Sequence, residues 1–166
     1  MRIYLIGFMG AGKSTLGPIL AKKLGYSCIE TDVLVEKLAG ISIPEIFRLY
    51  GEIRFRELER QVLLFTQLCN DTVICTGGGT PCFSGNMEWM KQQGITVYLS
   101  CDEEIIIQRL NSPQKDRPLF NDQNSWKNLL HSRIETYQKA QIQLVNHDLP
   151  ENSVESLLMS LEKWKK

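Results

Sequence analysis

Short apolar runs alternate with helical patterns along the whole chain. Residues 3–6 form a β-rich apolar run that stops at a glycine, as a buried strand does. Leu16, Ile19, Leu20 and Leu24 recur at helical spacing over 15–24, and Gly25 follows as a stop signal. A second strand is expected over 27–30 and a helix over 31–38. A helical pair is expected over 43–50 and 52–69, with Leu58, Val62, Phe65 and Cys69 as its clearest stripe. A third strand, 72–76, runs into Gly77-Gly78-Gly79. The pattern then reads helix 88–93, strand 95–100, a helix capped by Asp102 and running through Leu110, helix 125–141, a last strand 142–145 and an amphipathic helix 151–166. Residues 111–124 fit neither period. They hold Pro113 and Pro118 and are long for a connector, so a lid or binding loop is expected there.

Strands alternating with helices predict an α/β fold, a parallel sheet with helices on both faces. Ligands on such a sheet sit at the carboxyl ends of the strands. The length, 166 residues, fits one domain spanning 1–166. Nineteen basic residues balance nineteen acidic ones, which argues against a dedicated nucleic-acid binder. No apolar run reaches the roughly 18 residues that a membrane span requires. Lys13 interrupts the apolar N-terminal stretch and no cleavage pattern follows, so a signal peptide is not expected. The five cysteines are odd in number and none are spaced C-x-x-C, and only His131 and His147 could join them at a metal. Reduced thiols in the cytoplasm are the expectation.

Gly7-Phe8-Met9-Gly10-Ala11-Gly12-Lys13-Ser14 is G-x-x-x-x-G-K-S, after a predicted strand and before a predicted helix. That context marks a P-loop, whose backbone N–H groups wrap phosphates at the positive end of a helix. Gly10, Ala11, Gly12, Lys13, Ser14 and Thr15 are therefore the expected nucleotide-binding residues, with Lys13 on the β and γ phosphates and Ser14 at a Mg²⁺ position. The guanine motif N-K-x-D is not supplied by Asn146-His147-Asp148-Leu149, and the chain is small for a motor. A kinase of a small molecule or nucleotide remains.

Other residues carry two readings each. Asp32, after the second strand, can orient a substrate hydroxyl or accept its proton, or serve only the helix dipole. Arg56 can grip a carboxylate with its planar fork, or pair with Glu52 four residues before it. Arg133 can do the same, or lie on a solvated face with Glu135 and Lys139. The glycine triplet can offer N–H groups to a ligand, or simply turn before Pro81. Phe47 and Phe55 can line a site or fill a core. In the loop 111–124, Arg117 is the expected cation for the transferred phosphoryl group, ahead of Lys115.

The chain resembles the shikimate kinase family over nearly its whole length. Gly10-Ala11-Gly12-Lys13-Ser14-Thr15 with Gly17 matches the family P-loop, and Gly51-Glu52 with Phe55-Arg56-Glu57-Leu58-Glu59 matches its G-E-x-x-F-R-x-x-E block. Thr76-Gly77-Gly78-Gly79, Arg117-Pro118-Leu119 and Arg133 to Tyr137 match its glycine triplet, lid and R-x-x-x-Y. The resemblance implies a P-loop NTPase-type sandwich with strand order 2-3-1-4-5 and a lid at about 111–124. It implies transfer of phosphate from ATP, with Mg²⁺, to the 3-hydroxyl of shikimate in aromatic amino-acid biosynthesis. On that reading Lys13, Asp32 and Arg117 are catalytic, and Arg109 and Arg117 join the ATP site, Arg109 against adenine. Asp32, Arg56, Arg133, Gly77, Gly78, Gly79, Phe47 and Phe55 bind shikimate. Glu30 stands where the family usually has Asp and would join Ser14 at the metal through water. Some members carry a further adenine-side Arg near the last helix; residues 146–152 hold none. The expected form is a cytoplasmic monomer with a small-molecule substrate and neither nucleic acid nor membrane as partner. The rival readings are a gluconate or nucleoside-monophosphate kinase, and a non-catalytic nucleotide-binding regulator.

Overall fold

The computed structural model describes residues 1–110, 123–146 and 150–164. Of the lid expected at 111–124, residues 111–122, with Lys115 and Arg117, lie outside the described residues, as do 147–149 and 165–166, while residues 123–124 open a helix.

Five parallel strands form one sheet in the order β2-β3-β1-β4-β5. They are β1 (Arg2–Ile6), β2 (Ser27–Glu30), β3 (Thr72–Cys75), β4 (Ile95–Ser100) and β5 (Ile142–Val145). Alternation along the central strand splits the core in two. Ile3 and Leu5 face one side, with α1 (Lys13–Leu24) and α7 (Pro150–Glu162) supplying Leu16, Leu20, Val154, Leu157 and Leu161. Tyr4 and Ile6 face the other, covered by α4 (Asn86–Gln93), α5 (Glu103–Leu110) and α6 (Gln123–Tyr137) through Met87, Met90, Ile106, Trp126, Leu130 and Tyr137. Both faces of the middle strands are thus dry, which is why they read as continuous apolar runs.

A third, smaller core joins α2 (Thr31–Ala39) to α3 (Ile43–Phe65) through Val35, Ile46, Phe55, Leu58 and Val62. The expected helical pair over 43–69 is one continuous stretch broken at Gly51, where φ is 74° and ψ 179°. A left-handed φ costs glycine little, so the chain bends there and turns Phe55 back toward Phe47, ring centroids 4.7 Å apart. Glu45, to which the sequence assigns no role, starts this helix: its carboxylate accepts the Ser42 N–H at 3.0 Å and the Ser42 hydroxyl at 2.6 Å.

Several boundaries differ from the sequence pattern. The helix expected over 125–141 begins at Gln123 and stops at Tyr137, because Gln138 to Gln141 must turn the chain into β5. There the Gln141 side chain accepts the Thr96 N–H at 2.8 Å, fixing the turn to β4. The terminal helix ends at Glu162, and α4 begins two residues earlier than its pattern. Among the described residues no helix is long and apolar enough to cross a membrane, and no group of three or more His, Cys, Asp or Glu could hold a metal ion.

Candidate active site

The loop between β1 and α1 is a ring of backbone whose carbonyls are held from outside. Lys13 is buried and folds back, its Nζ donating to Gly7 O at 2.7 Å and Phe8 O at 2.9 Å. Arg109, in the last turn of α5, donates to Gly10 O at 2.8 Å. That contact puts Arg109 against the loop itself. The first turn of α1 carries no acidic residue, so the positive end of the helix faces the loop without a built-in counter-charge.

Ser14 and Glu30 meet beside this loop. The Ser14 hydroxyl donates to Glu30 Oε2 at 3.1 Å. Glu30 Oε1 is buried with no hydrogen-bond partner in the described structure. Burial pushes the Glu30 carboxyl above its usual range; the Ser14 hydroxyl, the neighbouring Cys75 thiol and the Lys13 charge pull the other way. A hydroxyl and a carboxylate side by side, one oxygen unsatisfied, are hard oxygen donors of the kind Mg²⁺ takes beside substrate phosphates. The extra methylene of Glu30 therefore does not carry the carboxylate away from Ser14.

The glycine triplet after β3 is the hub of the second half of the site. A β-carbon on Gly77 would stand 2.8 Å from Asp32 Oδ1 and 2.6 Å from Glu59 Oε1. One on Gly78 would stand 3.6 Å from Arg133 Nη1 and 3.5 Å from Met9 N of the P-loop. One on Gly79 would lie against the Arg56 guanidinium, 2.7 Å from its Cζ. Three glycines in sequence thus let Asp32, Arg56 and Arg133 close around one backbone segment that touches the phosphate loop.

Each of these side chains is held by its own element. Thr31, buried at the start of α2, donates to Cys75 O at 3.3 Å and accepts the Gly77 N–H at 3.0 Å. That bridge pins exposed Asp32, the next residue, beside the triplet. Arg56 is 8% exposed, so it is no solvated helix residue. Its Nη1 donates to Glu59 Oε2 at 2.5 Å, and its Nε and Nη2 donate to Glu52 Oε1 at 3.1 and 2.9 Å. The Glu52 pair is therefore real, and it coexists with the burial a binding role needs. Burial opposes the Arg56 charge, but Glu59 and Glu52 outweigh it and push the group's pKa up. Arg133, 9% exposed, lies over the Phe8 ring at 6.0 Å. Tyr137, one turn later, donates to Gly78 O at 2.6 Å. Phe55 is buried and Phe47 half-buried, both packed with the α2–α3 core.

Two residues of the site escaped the reading of single positions. Glu59 is 2% exposed and accepts from Arg56 and, at 2.5 Å, from Thr80 Oγ1. Burial pushes its carboxyl up, and the Arg56 charge only partly offsets that. The signal was Glu59 three residues after Arg56, the same helix face. Thr80 carries no sequence signal, because its partner is 21 residues away.

The shikimate kinase family model matches residues 9–162 of this chain. A curated relative named shikimate kinase, from Clostridium botulinum, is 40% identical over 166 residues, 98% of this chain and 97% of the relative. The solved shikimate kinase of Bacteroides thetaiotaomicron superposes with a TM-score of 0.90 at 36% identity, covering 98% of each chain. The Acinetobacter baumannii shikimate kinase, solved in complex with shikimate, superposes with a TM-score of 0.92 at 35% identity, covering 99% of this chain and 94% of that one.

Proposed function

This chain belongs to the shikimate kinase family, and from that premise we propose that it transfers the γ-phosphoryl group of ATP to the 3-hydroxyl of shikimate. The observation that carries the reading is the glycine triplet, which draws two carboxylates, exposed Asp32 and buried Glu59, and two buried guanidiniums around a segment in contact with the P-loop.

In the forward step the 3-hydroxyl oxygen forms a bond to the γ phosphorus, the bond from that phosphorus to the β–γ bridging oxygen breaks, and the hydroxyl proton leaves. Asp32, exposed beside Gly77, orients the hydroxyl and takes the proton. Arg56 and Arg133 bind the substrate carboxylate with paired N–H donors. Glu52 is mostly solvent-exposed, so the substrate carboxylate can displace it from Arg56, while buried Glu59 keeps the guanidinium in place. Phe47 and Phe55 pack on the ring, and Gly77, Gly78 and Gly79 bring N–H groups to its hydroxyls. Gly10, Ala11, Gly12 and Thr15 line the nucleotide phosphates, and Lys13 exchanges its loop carbonyls for phosphate oxygens. Ser14 and Glu30 would hold Mg²⁺, which when bound offsets phosphate charge. Arg117 stabilises the moving phosphoryl group from the loop, and Arg109 borders the adenine. Anchoring both ends of a small substrate aligns the hydroxyl for in-line attack, and orientation is the main source of rate in this chemistry.

We take the protein to act as a single-domain cytoplasmic monomer. Its five free cysteines fit a reducing compartment. The experiment is ADP release with Mg²⁺ and ATP on a panel of shikimate, gluconate and nucleoside monophosphates. Turnover on shikimate alone is expected. Turnover on another member of the panel but not shikimate rejects the assignment, and nucleotide binding with no turnover on any makes the protein a non-catalytic binder.

A further inference from the structure

We propose that Asn146 is a positioning residue for the phosphate loop: its carboxamide, held by Ser153, fixes the Ala11–Gly12 peptide and so aims the Gly12 N–H. The proposal rests on the P-loop being the ATP site.

Asn146 directly follows β5, and its backbone N–H donates to Ser100 O at 2.8 Å, at the end of β4. Its side-chain Nδ2 donates to Ala11 O at 2.7 Å, and its Oδ1 accepts the Ser153 hydroxyl of α7 at 2.8 Å. Both residues are buried. The orientation of the amide is chemically determined. A backbone carbonyl only accepts, so the NH₂ must face Ala11 and the oxygen must face the serine. Three segments far apart in sequence meet here: the P-loop, the end of β5 and the second turn of α7.

A trans peptide points its N–H opposite to its C=O. With Ala11 O drawn toward Asn146, the Gly12 N–H points away from Asn146. Gly12 has φ 97°, and a β-carbon there would come within 2.5 Å of Asn146 Nδ2. The clamp and the glycine therefore require each other: only a residue without a side chain lets the carboxamide sit against this peptide.

Among the described residues, the other side chains that donate to the carbonyls of residues 7–12 are charged; the remaining donors are backbone N–H groups, as from Ala11 to Phe8 and from Leu16 to Gly12. Lys13 serves Gly7 and Phe8, and Arg109 serves Gly10. Lys13 is the group that must leave its carbonyls when phosphates arrive. Asn146 is neutral and enclosed, with both ends of its amide satisfied, so it holds the peptide in the empty and loaded states alike without competing for phosphate. Removing it strands the Ala11 carbonyl and the Ser153 hydroxyl in a buried place, and the loop relaxes to pair them.

The test uses Asn146→Ala and Ser153→Ala in the full-length chain, with ADP, ATP and shikimate affinities measured separately by titration calorimetry. Asn146→Ala is expected to weaken both nucleotides about ten-fold, the scale of one buried neutral hydrogen bond, with shikimate affinity changed less than about two-fold. Ser153→Ala is expected to weaken nucleotides by about three-fold and to add nothing in the Asn146→Ala background, since it acts through the carboxamide. Unchanged nucleotide affinity in Asn146→Ala overturns the proposal, as does an equal loss of nucleotide and shikimate. If Asn146→Ala does not fold, Ser153→Ala decides: a nucleotide-selective loss supports the clamp, and no loss or an unselective loss overturns it. Wild-type protein that binds no nucleotide would instead refute the ATP-site reading beneath it.

Discussion

Replacing Gly79 by alanine tests the second half of the site with a single methyl group. The backbone there has φ −85° and ψ −21°, which alanine adopts freely, so no main-chain strain enters. The new β-carbon would clash first with Nη1 of Arg56, the atom that donates to Glu59, and would lie 2.7 Å from both Cζ and Nη2, inside van der Waals contact. The guanidinium is the far end of a flexible side chain, so it moves, by roughly 1 Å or more to regain a normal carbon contact. It cannot move that far and keep its 2.5 Å bond to Glu59. A charge-assisted hydrogen bond contributes about 1.5–3 kcal/mol. Losing one from the carboxylate anchor should raise the shikimate KM about 10- to 100-fold, at 1.4 kcal/mol per factor of ten. Glu59 also loses one of its two buried hydrogen-bond partners, Thr80 remaining, a cost of up to about 3 kcal/mol. At about 2–4 °C per kcal/mol for a chain of this size, Tm falls by up to about 12 °C. The measurements are a coupled ADP-release assay for the shikimate KM, ATP affinity by calorimetry without shikimate, and a thermal melt. A shikimate KM within two-fold of wild type, or an ATP affinity that falls in parallel, would refute the placement of Arg56 as a substrate anchor held by Glu59.

Three further outcomes are expected. Asp32→Asn should retain ATP binding and lose turnover by about 10²-fold or more; unchanged turnover removes Asp32 from the proton step. Burial pushes the Glu59 carboxyl up from an ordinary value near 4.5, so between that value and the raised one the folded state keeps a proton that the unfolded chain has already released. Its stabilising contribution is therefore full below the ordinary value and fades as pH rises through the raised one. Chemical denaturation of wild type and Glu59→Gln should show wild type losing ground to the variant as pH climbs above about 4.5, and a difference independent of pH would contradict this. Glu30→Gln should raise the Mg²⁺ concentration for half-maximal activity several-fold without weakening metal-free ADP binding; an unchanged metal requirement would exclude Glu30 from the metal shell.

The P-loop was legible because its physics is local: strand, glycine turn, lysine and helix occupy one contiguous stretch, and no distant contact is needed to write them down. The α/β alternation was legible for the same reason, since periods of two and of 3.6 are properties of segments. Arg56 shows where such reading stops. Its spacing from Glu52 signalled a surface pair, and the pair exists, yet Arg56 is buried because Gly79 and Glu59 enclose it. Helix ends next to turns, such as Tyr137 before β5, depended on where the neighbouring strand lay.

By itself the sequence determined the order of strands and helices, the phosphate loop and, through resemblance, the family and its expected sheet order. Only the tertiary structure decided that Glu30 stays within reach of Ser14, that Thr80 holds Glu59 from 21 residues away, and that Asn146 reaches Ala11. The reason is that burial and hydrogen-bond partnership are pairwise properties of residues 16 to 135 positions apart. The backbone path creates those pairs, and no window of neighbouring residues contains both members.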